Sequence, residues 1–342
     1  MALLGVACVV VGTLPLSLRW LGEMVSTAVS RSRRGESSWS LKSKGWILMK
    51  TILARIVADS QVWGTPKSSR LTTWELTYPR FIHSELMTHR VFSRNAASSR
   101  AIPVQKMLDQ VRDNPAMPTH WGKNQPGMGA DVELSNQPFP GVVPGPCVPV
   151  SERECVIQEW LAARDDAILH VQRLLGFGLA KQVANRLLEP WQWMVTICTA
   201  TEWDNFYAQR TDKAAQPEFK RLADQMLEVH NGRMPDDVPL GGWHLPFVTA
   251  EERTTFTLSQ QVRCSTARCA RVSYMNHDGT APDPAKDTGL YQKLLEGMHM
   301  SPFEHQAQPK PGETHRNFVG WKSHRAMLGT DTVKDFPGLK KW

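Results

Sequence analysis

Cysteine is scarce in this 342-residue chain. The six present, Cys8, Cys147, Cys155, Cys198, Cys264 and Cys269, form no C-x-x-C pair and show no metal-ligand spacing with a nearby histidine. This pattern excludes the common sequence-encoded zinc and dithiol motifs and leaves no metal site to expect; the cysteines read as free thiols in a reducing, cytoplasmic compartment. There is no Walker A sequence and no G-x-G-x-x-G, so neither of those glycine-rich phosphate cradles is available. No internal repeat of useful length is found, which excludes a solenoid or propeller. Long apolar runs are few as well. "ALLGVACVVVGTLPLSL" near the start is broken by Pro15 and gives way to a Ser/Arg-rich stretch. It is too short for a membrane span, although a signal anchor is the competing reading.

The surplus of positive charge is also smaller than it looks. The net charge is +7, but residues 1–48 hold Arg19, Arg31, Arg33, Arg34, Lys42 and Lys44 against Glu23 and Glu36, which leaves +3 for residues 49–342. A single-stranded nucleic-acid binder would account for the thirteen tryptophans and a basic loop, yet so small a surplus argues against a long charged groove. No nucleic acid and no membrane are expected for residues 49–342. With 41% apolar and 21% charged residues the balance is that of a globular protein. Residues 1–48 read as an extension outside the fold, because "MKTILARIVADS" from Met49 has the pattern of a first strand.

Along the chain, "LTTWELTY" (Leu71 to Tyr78) alternates Trp74, Leu76 and Tyr78 with polar neighbours, the period of a half-buried strand that Pro79 ends. "FIHSELMTHR" places Ile82, Leu86 and His89 at helical spacing, and "VQKMLDQVRDN" is a short amphipathic helix. Residues 113–150, rich in Pro, Gly and Asn, form a long loop or lid. A helix is expected from Ser151, with Glu154 three residues on, to the glycines Gly176 and Gly178, and another from Leu179 to Glu189. "TEWDNFYAQR" starts Thr-x-x-Asp, and "AQPEFKRLADQMLEVHNG" is a further helix. The last third offers a strand at "ARCARVSY" (Ala267 to Tyr274), a helix at "DTGLYQKLLEG", and a helix start at "SPFE" with Ser301 as N-cap and Glu304 at the third position.

Two features ask for an anion. The segment "THRVFSRNAASSRA" (Thr88 to Ala101) carries three arginines, a histidine and three serines, with no acidic residue. In the Thr201 to Arg210 stretch, Trp203, Phe206, Tyr207 and Arg210 fall on one helical side, and a guanidinium set against an apolar wall needs a carboxylate or an anionic ligand.

With these pieces named, residues 49–342 resemble the flavin-dependent thymidylate synthases. The family's R-H-R, seven residues, then Ser stands here as Thr88-His89-Arg90 and Ser98, with Ser93, Asn95 and Arg100 between and after. "VANRLLEP" and "NFYAQRTDKAAQPEF" resemble its second block. "ARCARVSY…LLEGMHMSPFEH" resembles the block with which the usual member opens, although here it follows the H-R segment by about 200 residues, a permuted order. Departures are Thr88, Ala96 and Ala101, for which Arg80 or Arg94 could compensate; "FVGWKSHR" is a weaker second H-R echo.

The resemblance implies a single α+β domain, a mixed or antiparallel sheet packed with helices in a permuted order of strands. It implies methylation of dUMP to dTMP with FAD as cofactor, and NADPH and methylenetetrahydrofolate as co-substrates, without a cysteine nucleophile, in a homotetramer. Residue by residue, it implies Arg210 and Ser98 as catalytic groups, and Glu85, Ser98, Arg100, Arg186 and Arg210 as dUMP contacts. FAD would meet His89, Arg90, Val91, Asn95, Asn205, Ser301 and Glu304, and His299 would face folate or flavin. A non-catalytic member that has lost flavin is the alternative.

Overall fold

The computed structural model describes residues 50–64, 70–127, 129–141, 151–276 and 279–329. The expected extension at residues 1–48, and residues 142–150 of the long loop, lie outside them.

The fold is α+β. Strands β1 (Leu53–Val62), β2 (Leu71–Pro79), β3 (Ser93–Ala96), β4 (Trp193–Ala200) and β5 (Asp236–Val238) make a five-stranded sheet in the order β3-β4-β2-β1-β5. Only β1 and β5 in it run parallel. A separate hairpin joins β6 (Ala307–His315) to β7 (Phe318–Ser323).

β2 departs from the half-buried pattern expected of it. Thr72 and Thr73 are as fully buried as Trp74, Leu76 and Tyr78, because the strand is central and helices cover both sheet faces. On one face Trp74 packs with Trp203, Phe206 and Phe219 from the helices Asp204–Arg210 and Pro217–Asn231. On the other, Ile197 of β4 meets Phe247, Cys269 and Val272 at the end of helix Leu258–Arg271. The buried hydroxyls are satisfied: Thr72 donates to Asp59 at 2.9 Å, and Thr73 lies 2.7 Å from His244 Nε2 and 2.8 Å from Thr199. A further core joins the amphipathic helix Val104–Asp113 to Glu152–Gly176 through Met107, Leu108, Val111, Ile168 and Val171. Ser151 caps the longer helix, accepting from the Glu154 N–H at 3.3 Å.

Four local expectations are corrected. Ala267 to Tyr274 is not a strand: helix Leu258–Arg271 runs through it and stops at Val272, in the left-handed region at φ 58°. A reciprocal capping box between Thr257 and Gln260 starts this helix upstream of the stretch read as a strand and commits it to the helix. In Leu179 to Glu189 only Lys181–Ala184 is α-helical; Asn185–Trp191 tightens to a 3-10 helix containing Pro190, whose ring disfavours the α conformation in the residue before it. Thr201 does not cap the helix at Asp204 but accepts the Val319 N–H at 3.1 Å. Ser301–Glu304 is a single 3-10 turn with no side-chain cap, and the Ser301 hydroxyl points to Asn95 instead.

Candidate functional site

The anion demanded by Arg210 is Glu85. At the end of its helix the guanidinium lies over the Phe219 ring, 4.7 Å from the centroid. Its three nitrogens donate to Glu85 Oε2 at 2.8 Å, His89 Nε2 at 3.0 Å and Thr88 Oγ1 at 3.3 Å. An arginine Nε always carries its hydrogen, so His89 Nε2 must accept and the imidazole is neutral, with its proton on Nδ1. Burial, then the positive charges of Arg210 and Arg94, push the His89 pKa down to about 4. The ring is buried against Phe92, Phe206 and Phe219, as its spacing behind Ile82 and Leu86 led one to expect, although the α-helix itself is only His83–Leu86.

The basic segment is organised by Arg94, which donates to the carbonyls of Leu86 at 2.9 Å and His89 at 3.1 Å and so closes the turn that carries His89. Arg80 is engaged with Glu189 at 2.8 Å. Arg90 and Arg100 are exposed, and among the described residues no side-chain hydrogen bond or ion pair reaches either guanidinium. Ser98 starts a turn: its carbonyl accepts from Ala101 N at 3.0 Å and its hydroxyl from Arg100 N at 3.3 Å. Asn185 donates to the Ser99 carbonyl at 3.1 Å. That bond ties the Ser98 and Arg100 turn to the segment bearing Arg186, which pairs at 3.3 Å with Glu189.

The third block reaches the same loop through Asn95 rather than His299. Asn95 Nδ2 donates to the Cys269 carbonyl at 2.7 Å, and Asn95 Oδ1 accepts from Ser301 Oγ at 3.2 Å. His305, four residues on, is buried and lies 2.8 Å from Thr199 of β4. His299 is exposed, and its backbone N–H bonds the Leu294 carbonyl. Glu304 is engaged by Arg325 at 2.5 Å and Arg316 at 3.8 Å; Arg325 ends the "FVGWKSHR" echo, which folds as β7 and the helical turn His324–Met327. Asn205 is exposed and accepts from Gln209 at 3.3 Å. Val91 is exposed at the edge of the loop.

Glu85 and Arg210 open into a groove of about 1630 Å³ whose walls include residues 118–131 on one side and helix Pro217–Asn231 on the other. Sequence reasoning read this wall as part of a long loop or lid but missed its anchor, Glu218. The signal available was a glutamate directly after the helix-starting Pro217, a position that normally faces solvent, yet this carboxylate is buried. Among the described residues no group of His, Cys, Asp and Glu could hold a metal ion, and no helix is long and apolar enough to cross a membrane.

Comparison with known proteins shows the family of the chain. The model of the family described as thymidylate synthase complementing protein matches residues 39–236, and the chain belongs to that family. The match starts ten residues before Met49 and ends before the third block. No curated protein matches the chain. Among solved structures, it is similar to a UMP/dUMP methylase PolB from Streptomyces cacaoi bound with 5-Br UMP, at 19% identity and a TM-score of 0.40, covering 53% of this chain and 89% of that one. A structure of the same enzyme bound with 5-Br dUMP gives 22% identity and a TM-score of 0.36, covering 49% and 70%.

Proposed function

We propose that this chain converts dUMP to dTMP with FAD, taking the carbon from methylenetetrahydrofolate and the reducing equivalents from NADPH. The observation that carries the reading is the pair Arg210 and Glu85 facing the groove, with His89 buried behind the guanidinium, inside the family match.

Arg210 is held in one orientation by three acceptors and an aromatic face, so its charge is fixed before a pyrimidine arrives. Donated to a carbonyl oxygen of the ring, that charge withdraws electron density as C5 reacts, with no reorganisation at that moment. Neutral His89 keeps the Arg210 Nε directed inward without adding a competing cation. Glu85 balances the guanidinium and accepts from the substrate. Ser98, Arg100 and Arg186, on two segments joined by the Asn185 to Ser99 bond, take the phosphate dianion.

The exposed faces of the H-R loop fit a flavin nucleotide. Arg90 presents a guanidinium that no described side chain reaches, and beside it Val91 and Met87 expose apolar surface that a ring would cover. Arg90, Val91 and Asn95, with Ser301 and Glu304 from the third block, His89 behind the loop and Asn205 on the neighbouring helix, would hold FAD; His299 would face folate or the flavin. When bound, the reduced flavin supplies reducing equivalents and relays the one-carbon unit. The three buried thiols do not compete as nucleophiles: burial raises the pKa of Cys264 to about 11 and those of Cys198 and Cys269 further. Because the loop is open on the side of Arg90 and Val91, the complete site is assembled in a homotetramer, in which another copy closes it.

The test is direct. The purified protein should show flavin absorbance and form dTMP from dUMP, methylenetetrahydrofolate and NADPH. A colourless protein that stays inactive when FAD is supplied refutes the reading and leaves a non-catalytic member.

A further inference from the structure

The segment 118–131 is rich in proline and glycine, but it is built rather than loose. Gly122 and Glu133 form an antiparallel bridge, flanked by bonds from Lys123 N to the Val132 carbonyl at 2.7 Å and from Leu134 N to the Trp121 carbonyl at 2.8 Å. Gly122 is required there, since a Cβ on it would stand 2.2 Å from Ala130 Cβ. Lys123 reaches Glu152 at 3.2 Å, and His120 lies 2.9 Å from Glu133.

Among the described residues, the hydrogen bonds that fasten the clip to the opposite wall meet at one carboxylate. Glu218, 3% exposed, accepts from the Thr119 N–H at 2.6 Å and from its hydroxyl at 3.1 Å, with Gln216 at 3.4 Å. The next residue, Phe219, is the ring under Arg210. One turn of helix therefore fixes both the clip and the guanidinium, and with them the groove width at its Arg210 and Glu85 end.

We infer that residues 118–127 and 129–131 form the substrate-retaining wall of this groove and that Glu218 is the positioning residue that sets its distance from Arg210. The inference rests on the nucleotide reading above. Glu218 touches no reacting atom; it acts through Thr119. A buried carboxylate accepting two bonds from one residue is a stronger tether than a neutral contact, and its loss leaves the Thr119 N–H unpaired.

Two variants approach the tether from opposite sides, with dUMP as the probe. Glu218→Ala releases the clip at its anchor, and Gly122→Ala forces its two arms apart without touching the Pro217–Asn231 helix. Both should raise KM for dUMP about tenfold or more, change kcat less than twofold, leave flavin content unchanged, and speed tryptic cleavage after Lys123. Glu218→Gln, which keeps an acceptor, should restore most of the affinity. If cleavage accelerates in both variants while KM for dUMP stays at the wild-type value, the wall has no part in retaining substrate and the inference is overturned. A wild-type protein that does not bind dUMP would instead count against the proposed function.

Discussion

Replacing Arg268 by methionine should cost this protein a large share of its stability, although the residue lies outside the family match. Arg268 is fully buried. Its guanidinium donates to both oxygens of Glu252, at 2.7 and 2.6 Å, to Asp287 at 3.0 Å and to the Phe247 carbonyl at 2.7 Å. It thus joins helices Ala250–Thr255, Leu258–Arg271 and Pro284–Glu296. Burial works against the charge on Glu252, but the bidentate arginine and the Thr249 N–H outweigh it and hold its pKa below the usual carboxylate value. Methionine fills the volume and leaves the acceptors. Asp287 keeps Arg271, so the uncompensated groups are the Glu252 carboxylate and the Phe247 carbonyl. Removing one partner of a buried pair costs about 3–5 kcal/mol, against a total of about 5–15 kcal/mol for a domain. Urea unfolding followed by tryptophan fluorescence measures the loss as a lower midpoint at unchanged slope. Glu252→Gln in the same background should recover part of it, since the stranded charge is then gone. A loss below about 1 kcal/mol, the range of exposed ion pairs, would refute the claim that this network clamps these three helices together.

What could be read in the sequence follows the range of the signal. β1, β2 and the helices at Val104, Ser151 and Pro217 carry their own period and caps, and they stand where that local pattern places them. The pairing of Arg210 with an anion was also legible, because a guanidinium on an aromatic helix face has few other fates. Its partner's location was not: Glu85 is 125 residues away and is brought in by the pairing of β2 with β4. The misread strand at Ala267 to Tyr274 failed for a related reason. The capping box that commits that stretch to a helix begins at Thr257, ten residues upstream of the window that suggested a strand. Burial of Thr73 depends on what covers the second sheet face, a tertiary fact with no local trace, whereas Thr72 shares the Trp74 face and lies 3.2 Å from His230 of helix Pro217–Asn231.

Three further outcomes are expected. Arg210→Ala, which strands Glu85, should weaken dUMP binding by about 2–4 kcal/mol, as for truncating one side of a hydrogen-bonded charge pair; titration calorimetry showing unchanged affinity would remove Arg210 from the nucleotide site. Acid should unfold the protein early, because His244 and His305 are pushed down to about 3 by burial, and His89 to about 4, from an ordinary 6.5. These rings fold neutral while the unfolded chain takes up protons below 6.5, so stability is complete above that pH and is lost as pH falls towards 4. At pH 5 each of the three contributes a loss of about 2 kcal/mol, and a denaturation midpoint flat between pH 7 and 5 would contradict their burial. The last concerns Asn95, the one side chain that bonds both the Cys269 carbonyl and Ser301. Asn95→Ala deletes both links, whereas Asn95→Asp keeps an acceptor for Ser301 but turns a carboxylate oxygen towards the Cys269 carbonyl oxygen, which is left with the Val272 N–H alone. Electrostatic repulsion in a half-buried position then adds to the lost bond, so Asp should be the worse replacement although it is nearly the same shape. Flavin retained after gel filtration should therefore fall in the order wild type, Asn95→Ala, Asn95→Asp. If the alanine variant kept wild-type flavin content, the third block would not be holding the H-R loop through this residue. If aspartate retained more flavin than alanine, the bond to Cys269 would matter less than the one to Ser301, and the permuted segment would act on the loop through its 3-10 turn alone.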